Sequence, residues 1–120
     1  MAEIRNSKQY DLEERTLKFA KDVILFVKSL SMTITNIELV KQIVRSSGYV
    51  GANYIEANEA LSKKDFIMRI KICRKEAKES RYWPKLIEIN GEDAEKQRQT
   101  LIQEATELMK IFGAILEKAK

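Results

Sequence analysis

Residues Gly51–Trp83, GANYIEANEALSKKDFIMRIKICRKEAKESRYW, decide the fold. Two amphipathic helical patterns meet there across a tight turn, and Ser62-Lys63-Lys64-Asp65 supplies the N-cap signal that starts the second of them. That helix is expected to run over residues 63–89 and to stop at Asn90-Gly91. Pro84 cannot donate to the carbonyl of Ser80, and it predicts a kink late in the helix, because Lys85 to Ile89 remain compatible with helix.

Upstream, Thr35-Asn36-Ile37-Glu38 reads as a capping box that opens a helix over about 36–61. Its inward stripe is Val40, Ile43/Val44, Ser47, Gly51, Tyr54, Asn58 and Leu61, and the small Ser47 and Gly51 predict close approach of a neighbouring helix. Gly48 and Gly51 each cost about 1 kcal/mol against alanine inside a helix, so packing must compensate; a break near Gly48 is the competing reading. At the front of the chain Asp11, with Glu14 three residues on, caps a helix over about 12–30 whose apolar positions are Leu12, Thr16, Phe19, Val23, Phe26 and Leu30. At the back, Ala94, Leu101, Ala105, Leu108, Phe112 and Ile115, broadened by Ile102, Met109 and Leu116, mark a helix over about 92–118. Short connections between long helices imply antiparallel neighbours: an all-α, up-down-up-down four-helix bundle in a single domain over residues 1–120.

The composition excludes several chemistries. With no histidine, the usual general base and the commonest metal ligand are missing, and no glycine-rich phosphate loop follows a strand; neither a metal nor a cofactor is expected. The lone Cys73 sits on an apolar stripe between Ile70 and Ala77, where it reads as a small core residue, and one cysteine forms no internal disulfide. The longest aliphatic or aromatic run, Val23 to Val27, falls far short of a membrane span, and Met-Ala-Glu-Ile-Arg-Asn shows no export signal. A cytoplasmic protein without membrane contact is the expectation.

Charge is unevenly spread. Lys63 to Lys85 holds nine Lys/Arg against three acids, a balance of +6 within a chain of net charge +4. At 100° per residue, Lys64, Lys71, Arg74, Lys75, Lys78, Arg81 and Lys85 fall within about a third of the third helix's circumference, and Tyr82 shares that face as a candidate stacking surface. Like charges at three- and four-residue spacing repel by roughly 0.2–0.5 kcal/mol per pair, and only Lys75–Glu79 offers relief on the same helix. One reading is a solvated face paired with acids on another helix or subunit; the other is a polyanion-binding surface for RNA, DNA or an acidic protein. The opposite side of this helix carries Phe66, Ile70, Cys73, Ala77, Trp83 and Ile87 but also Arg69 and Glu76, which predicts a buried polar network of Arg69, Glu76, Tyr54 and Asn58. No two carboxylates converge without an intervening guanidinium, so a catalytic role for Glu76 or Glu59 is disfavoured. Outward Ile67, Met68 and Ile72 suggest contacts between subunits.

Asp11-Leu12-Glu13, Val50-Gly51-Ala52-Asn53-Tyr54, Glu56-Ala57, Lys64-Asp65-Phe66, Ile70-Lys71-Ile72, Lys75-Glu76-Ala77, Glu79-Ser80 and Tyr82-Trp83 together resemble the four-helix-bundle proteins encoded in intervening sequences of bacterial 23S ribosomal RNA genes, also called the S23-type ribosomal protein family. The resemblance covers nearly the whole chain. It implies a homopentameric ring around a basic central channel, and kinship with the nucleic-acid- and reverse-transcriptase-binding accessory subunit of diversity-generating retroelements. Carried onto this sequence, Lys71, Arg74, Lys75, Lys78 and Arg81 would face the polyanion, while Pro84 departs from the family pattern. The expectation is a non-enzymatic, oligomeric accessory protein binding structured RNA or DNA through the basic face; the alternative is a scaffold docking an acidic protein partner.

Overall fold

The computed structural model describes the backbone of residues 7–120 and the side chains of residues 11–120. The opening hexapeptide, on which the expectation of no export signal rests, lies outside the described residues. Four long helices follow one another: α1 (Ser7–Lys28), α2 (Ile34–Asn58), α3 (Lys63–Tyr82) and α4 (Glu92–Ala119), with a single 3-10 turn at Trp83–Lys85 and no strand among the described residues. Each helix packs on its neighbours in sequence, and α1 closes on α4, giving a rod of 46 × 26 × 19 Å. Side-chain bonds fix the direction of the second pairing. Ser80 Oγ donates to Ser46 Oγ (2.9 Å) and Arg69 Nη1 to Asn53 Oδ1 (3.0 Å), so residue numbers on α3 rise as those on α2 fall.

The core lies on the bundle axis. Phe19, Val23 and Phe26 of α1 meet Ile43, Val50 and Tyr54 of α2, Ile70, Cys73 and Ala77 of α3, and Leu101, Ala105, Leu108 and Phe112 of α4, all buried. Each large apolar side chain there contributes roughly 1.5–3 kcal/mol by leaving water. Where α1 crosses α2, a Cβ added at Gly51 would stand 2.9 Å from Thr16 Oγ1, so the glycine permits the helices' close approach.

Several boundaries differ from the sequence expectation, and each has a local cause. Asp11 does not cap α1, because the helix already starts at Ser7. The cap of α2 is Thr33, not Thr35: its Oγ1 accepts from Asn36 N (3.1 Å), and the helix begins two residues before the capping box predicts. The end of α2 comes at Asn58, where the amides of Glu59 and Ala60 donate three residues back in a tightened final turn, and Leu61 is left 98% exposed instead of inward. Ser62 caps α3 as expected, its Oγ accepting from Asp65 N (3.0 Å). Pro84 ends α3 instead of kinking it. The chain leaves the α-helix at Tyr82, tightens into the 3-10 turn and closes it with Leu86 N donating to Trp83 O (3.0 Å). Gly91 is therefore not the stop of α3; at φ 93° it makes the turn into α4, a conformation that favours glycine. The helix runs unbroken through Gly48, where a Cβ would meet nothing within 4 Å, so no packing offsets that glycine. Val44, one of the two alternatives for the inward stripe, is exposed, and Ile43 takes the core position.

Candidate nucleic-acid interface

The apolar stripe of α3 determines where its cations point. Ile70, Cys73, Ala77 and Ser80 are buried against α2 and α4, so the residues roughly half a turn round the helix face solvent. Lys64, Lys71, Arg74, Lys75, Lys78, Tyr82 and Lys85 are exposed, and Arg81 is half-buried. Lys71, Lys75, Lys78 and Tyr82 step by four, three and four residues and fall on one line; Lys64 extends it by two turns, and Arg74 and Arg81 flank it. From Lys64 to Tyr82 the line is about 27 Å long. Lys85 lies beyond the helix in the 3-10 turn, so α-helical periodicity no longer places it on this line.

Lys75 is the one cation of this set with acids close by, Glu76 at 3.7 Å and Glu79 at 4.0 Å. Among the described residues no carboxylate lies within 4.0 Å of Lys64, Lys71, Arg74, Lys78, Arg81 or Lys85. Lys75 apart, the described residues therefore do not neutralise this face by ion pairs within the chain. On another side of the bundle, Arg15 of α1 binds Glu104 (2.7 Å) and Glu107 (2.7 Å) of α4.

Arg69 and Glu76 do not form the predicted pair. Arg69 donates to Asn53 on α2, and Glu76 lies beside Lys75. Burial pushes the Glu76 carboxyl above its ordinary range, repulsion from Glu79 adds to this, and Lys75 and Arg45 counter it. Asn58 donates to Glu13 on α1 (3.0 Å), and the Tyr54 ring meets Phe112 with centroids 5.9 Å apart. Arg69, Asn58 and Tyr54 thus tie α2 to three different helices, while Glu76 pairs within α3, and the four form no single cluster. A cleft of about 790 Å³, lined by Leu12, Tyr54, Phe66 and Ile115 among others, opens near the Asn58 end of the bundle, away from Tyr82. The buried Cys73 thiol is pushed up to about 12 by desolvation, which removes its nucleophilic form. No group of three or more potential metal ligands occurs among the described residues, and no described helix is long and apolar enough to cross a membrane.

The end of the stripe is built around two aromatic rings. Tyr82, 55% exposed, sits edge-on to Trp83, centroids 5.0 Å apart and planes at 72°, while Trp83 packs against the core. Sequence reasoning missed Asn36, which is buried at the same end. Its Nδ2 donates to the carbonyls of Ser31 and Glu88 (2.9 Å each) and its Oδ1 accepts from Glu88 N (2.9 Å), so it joins the α1–α2 connection to the segment after α3. An asparagine in the first turn of an otherwise apolar-faced helix was the available signal.

A crystal structure of a protein of unknown function from the S23 ribosomal protein family of Bacteroides thetaiotaomicron matches with a TM-score of 0.75 and 32% identity, over 87% of this chain and 96% of that one. No curated protein matches. Residues 8–114 match the family described as 23S rRNA-intervening sequence protein, and the chain belongs to that family.

Proposed function

We propose that the outer face of α3 binds the phosphate backbone of a nucleic acid, structured RNA or DNA, and that the protein acts by binding and not by catalysis. The observation that carries this reading is the exposed set Lys64, Lys71, Arg74 and Lys78, with half-buried Arg81 beside it, unaccompanied by any described carboxylate within 4.0 Å. Phosphates would relieve the like-charge repulsion that the fold leaves in place. The non-catalytic reading rests on the absence of histidine and on a buried, protonated cysteine. The family's description refers to 23S rRNA intervening sequences, which makes RNA the first polyanion to test.

The protein is also proposed to work as a homo-oligomer, a pentamer by resemblance. Leu17 and Ile24 on α1, and Ile37, Val44 and Ile55 on α2, are exposed apolar residues at two- and three-turn spacings. Val44 and Ile55 lie near the line of Gly51, whose contact with Thr16 marks the α1–α2 seam, so both rows border one groove. That groove is on α1 and α2, and the cations on α3 stay free to bind.

Fluorescence anisotropy with an RNA hairpin and a DNA duplex of equal length, over a salt series, tests the binding reading. Contact with about four or five phosphates gives a log–log slope on duplex DNA near −4. Lys71→Glu, Arg74→Glu and Lys78→Glu together should leave helicity intact and abolish binding. Unchanged affinity in that variant, or no binding by the wild type at low salt, would overturn the assignment; binding of an acidic protein in place of nucleic acid would favour the scaffold reading.

A further inference from the structure

Resting on the phosphate-binding reading, we infer that the nucleic acid is single-stranded where it passes the C-terminal end of α3, with an unpaired base stacked on Tyr82. Tyr82 continues the line of Lys71, Lys75 and Lys78, one turn beyond the last of them, so a strand whose phosphates follow the lysines brings its next base to the phenol ring. The ring is available, since more than half of the residue is open to solvent. It is also held in place. Trp83 contacts it edge-on at 5.0 Å, and Trp83 in turn packs on the core. Directly after Tyr82 the chain leaves the α-helix and tightens into the 3-10 turn at Trp83–Lys85, so the ring stands at the end of the α-helical line. Arg81 and Lys85 flank the ring in sequence, and Lys85 is exposed.

A base paired within a duplex has both faces covered by its neighbours, so the ring discriminates between single and double strands, whereas the cations bind either. Stacking on an aromatic side chain is sequence-tolerant, because every base presents a π-face. The ligand class is therefore an unstructured strand, or the single-stranded flank of a structured one, without a strong base preference.

The test uses the full chain with a fluorescein-labelled, unstructured 20-nucleotide RNA and the same strand annealed to its complement. Wild type should bind the single strand about tenfold more tightly than the duplex. Tyr82→Ala should lose that advantage with duplex affinity and salt slope unchanged, and Tyr82→Phe should retain it. Trp83 is the sole tryptophan, and its emission should change on binding the single strand but not the duplex. Tyr82→Ala that weakens both ligands equally, or neither, overturns the stacking role while the phosphate-binding reading stands. Loss of all binding in the Lys71/Arg74/Lys78 reversal, together with an unaltered preference in Tyr82→Ala, likewise overturns stacking and leaves phosphate binding in place. Wild type that binds neither ligand overturns both.

Discussion

Gly48 and Gly51 occupy the same helix three residues apart, and their surroundings predict opposite responses to alanine. At Gly48 a methyl group meets nothing within 4 Å, so Gly48→Ala should gain about 1 kcal/mol in urea unfolding through helix propensity alone. At Gly51 the new Cβ would press on Thr16 Oγ1 at 2.9 Å and Thr16 Cβ at 3.2 Å. Thr16 has little freedom to yield, being β-branched and donating to the carbonyls of Leu12 (2.8 Å) and Glu13 (3.2 Å). Gly51→Ala should therefore cost about 1–3 kcal/mol, and equal effects at the two sites would contradict the seam described above. Glu76 makes a pH-dependent prediction. Its carboxyl is raised, mainly by burial, so the charged form destabilises the fold above the ordinary carboxylate pKa and the penalty fades as pH falls below it. Glu76→Gln should raise the melting temperature at pH 7, and the difference should shrink toward zero in acid; a constant difference would show that charge is not its cause. The small stripe at Ser47 and Gly51 was legible because size repeats with the helical period. The partners of Arg69 and Glu76 were not: seven residues separate the two by about 10.5 Å along the axis, and Asn53, on another helix, takes the guanidinium.

Helix ends depend on contacts that local sequence does not contain. Thr33 and Thr35 are both acceptable caps by type; Thr33 is the one whose Oγ1 receives the amide of Asn36, and it also donates to Glu88 Oε1 (3.0 Å), 55 residues away. Asn36 secures the same junction with three bonds, two of them to Glu88 backbone. Removing its amide would take the side-chain partner from the Ser31 and Glu88 carbonyls and the Glu88 amide at once, so Asn36→Ala should cost about 2 kcal/mol. Because Glu88 belongs to the segment after α3, hydrogen exchange in Asn36→Ala should accelerate around residues 86–91 as well as at the start of α2. Faster exchange confined to α2 would mean that the tie to the later segment carries little. The interiors of all four helices were legible in the sequence, since thirteen core residues on the axis recur at three-, four- and seven-residue spacing. The end of α3 was legible only in part. Pro84 announced an interruption, but whether the chain resumed as helix depended on how Trp83 and Ile87 fit the core, which spacing alone does not encode.

At the scale of the whole molecule, the bundle separates two surfaces of different character. α3 packs on α2 and α4, and its outer face is cationic; α1 and α2 carry the exposed Leu17, Ile24, Val44 and Ile55 of the proposed groove. A free monomer would hold this apolar groove against water, whereas association buries it and leaves the lysine line of every subunit open. Light scattering on the eluted protein should then give a multiple of 13.9 kDa. Ile24→Asp together with Val44→Asp, both exposed in the single chain, should yield the 13.9 kDa species with helicity unchanged, since neither side chain supports the core. The same double variant should bind a long RNA more weakly than wild type by a factor that collapses for an oligonucleotide short enough to touch one subunit, because linked stripes act through effective concentration and not through new contacts. A wild-type mass of 13.9 kDa would rule out the groove as an interface. An assembled double variant would instead move the interface elsewhere, with the outward Met68 and Ile72 on α3 as the next surface to test. In that case subunit contact and phosphate contact would compete for one helix, and salt would tighten assembly as it loosened RNA.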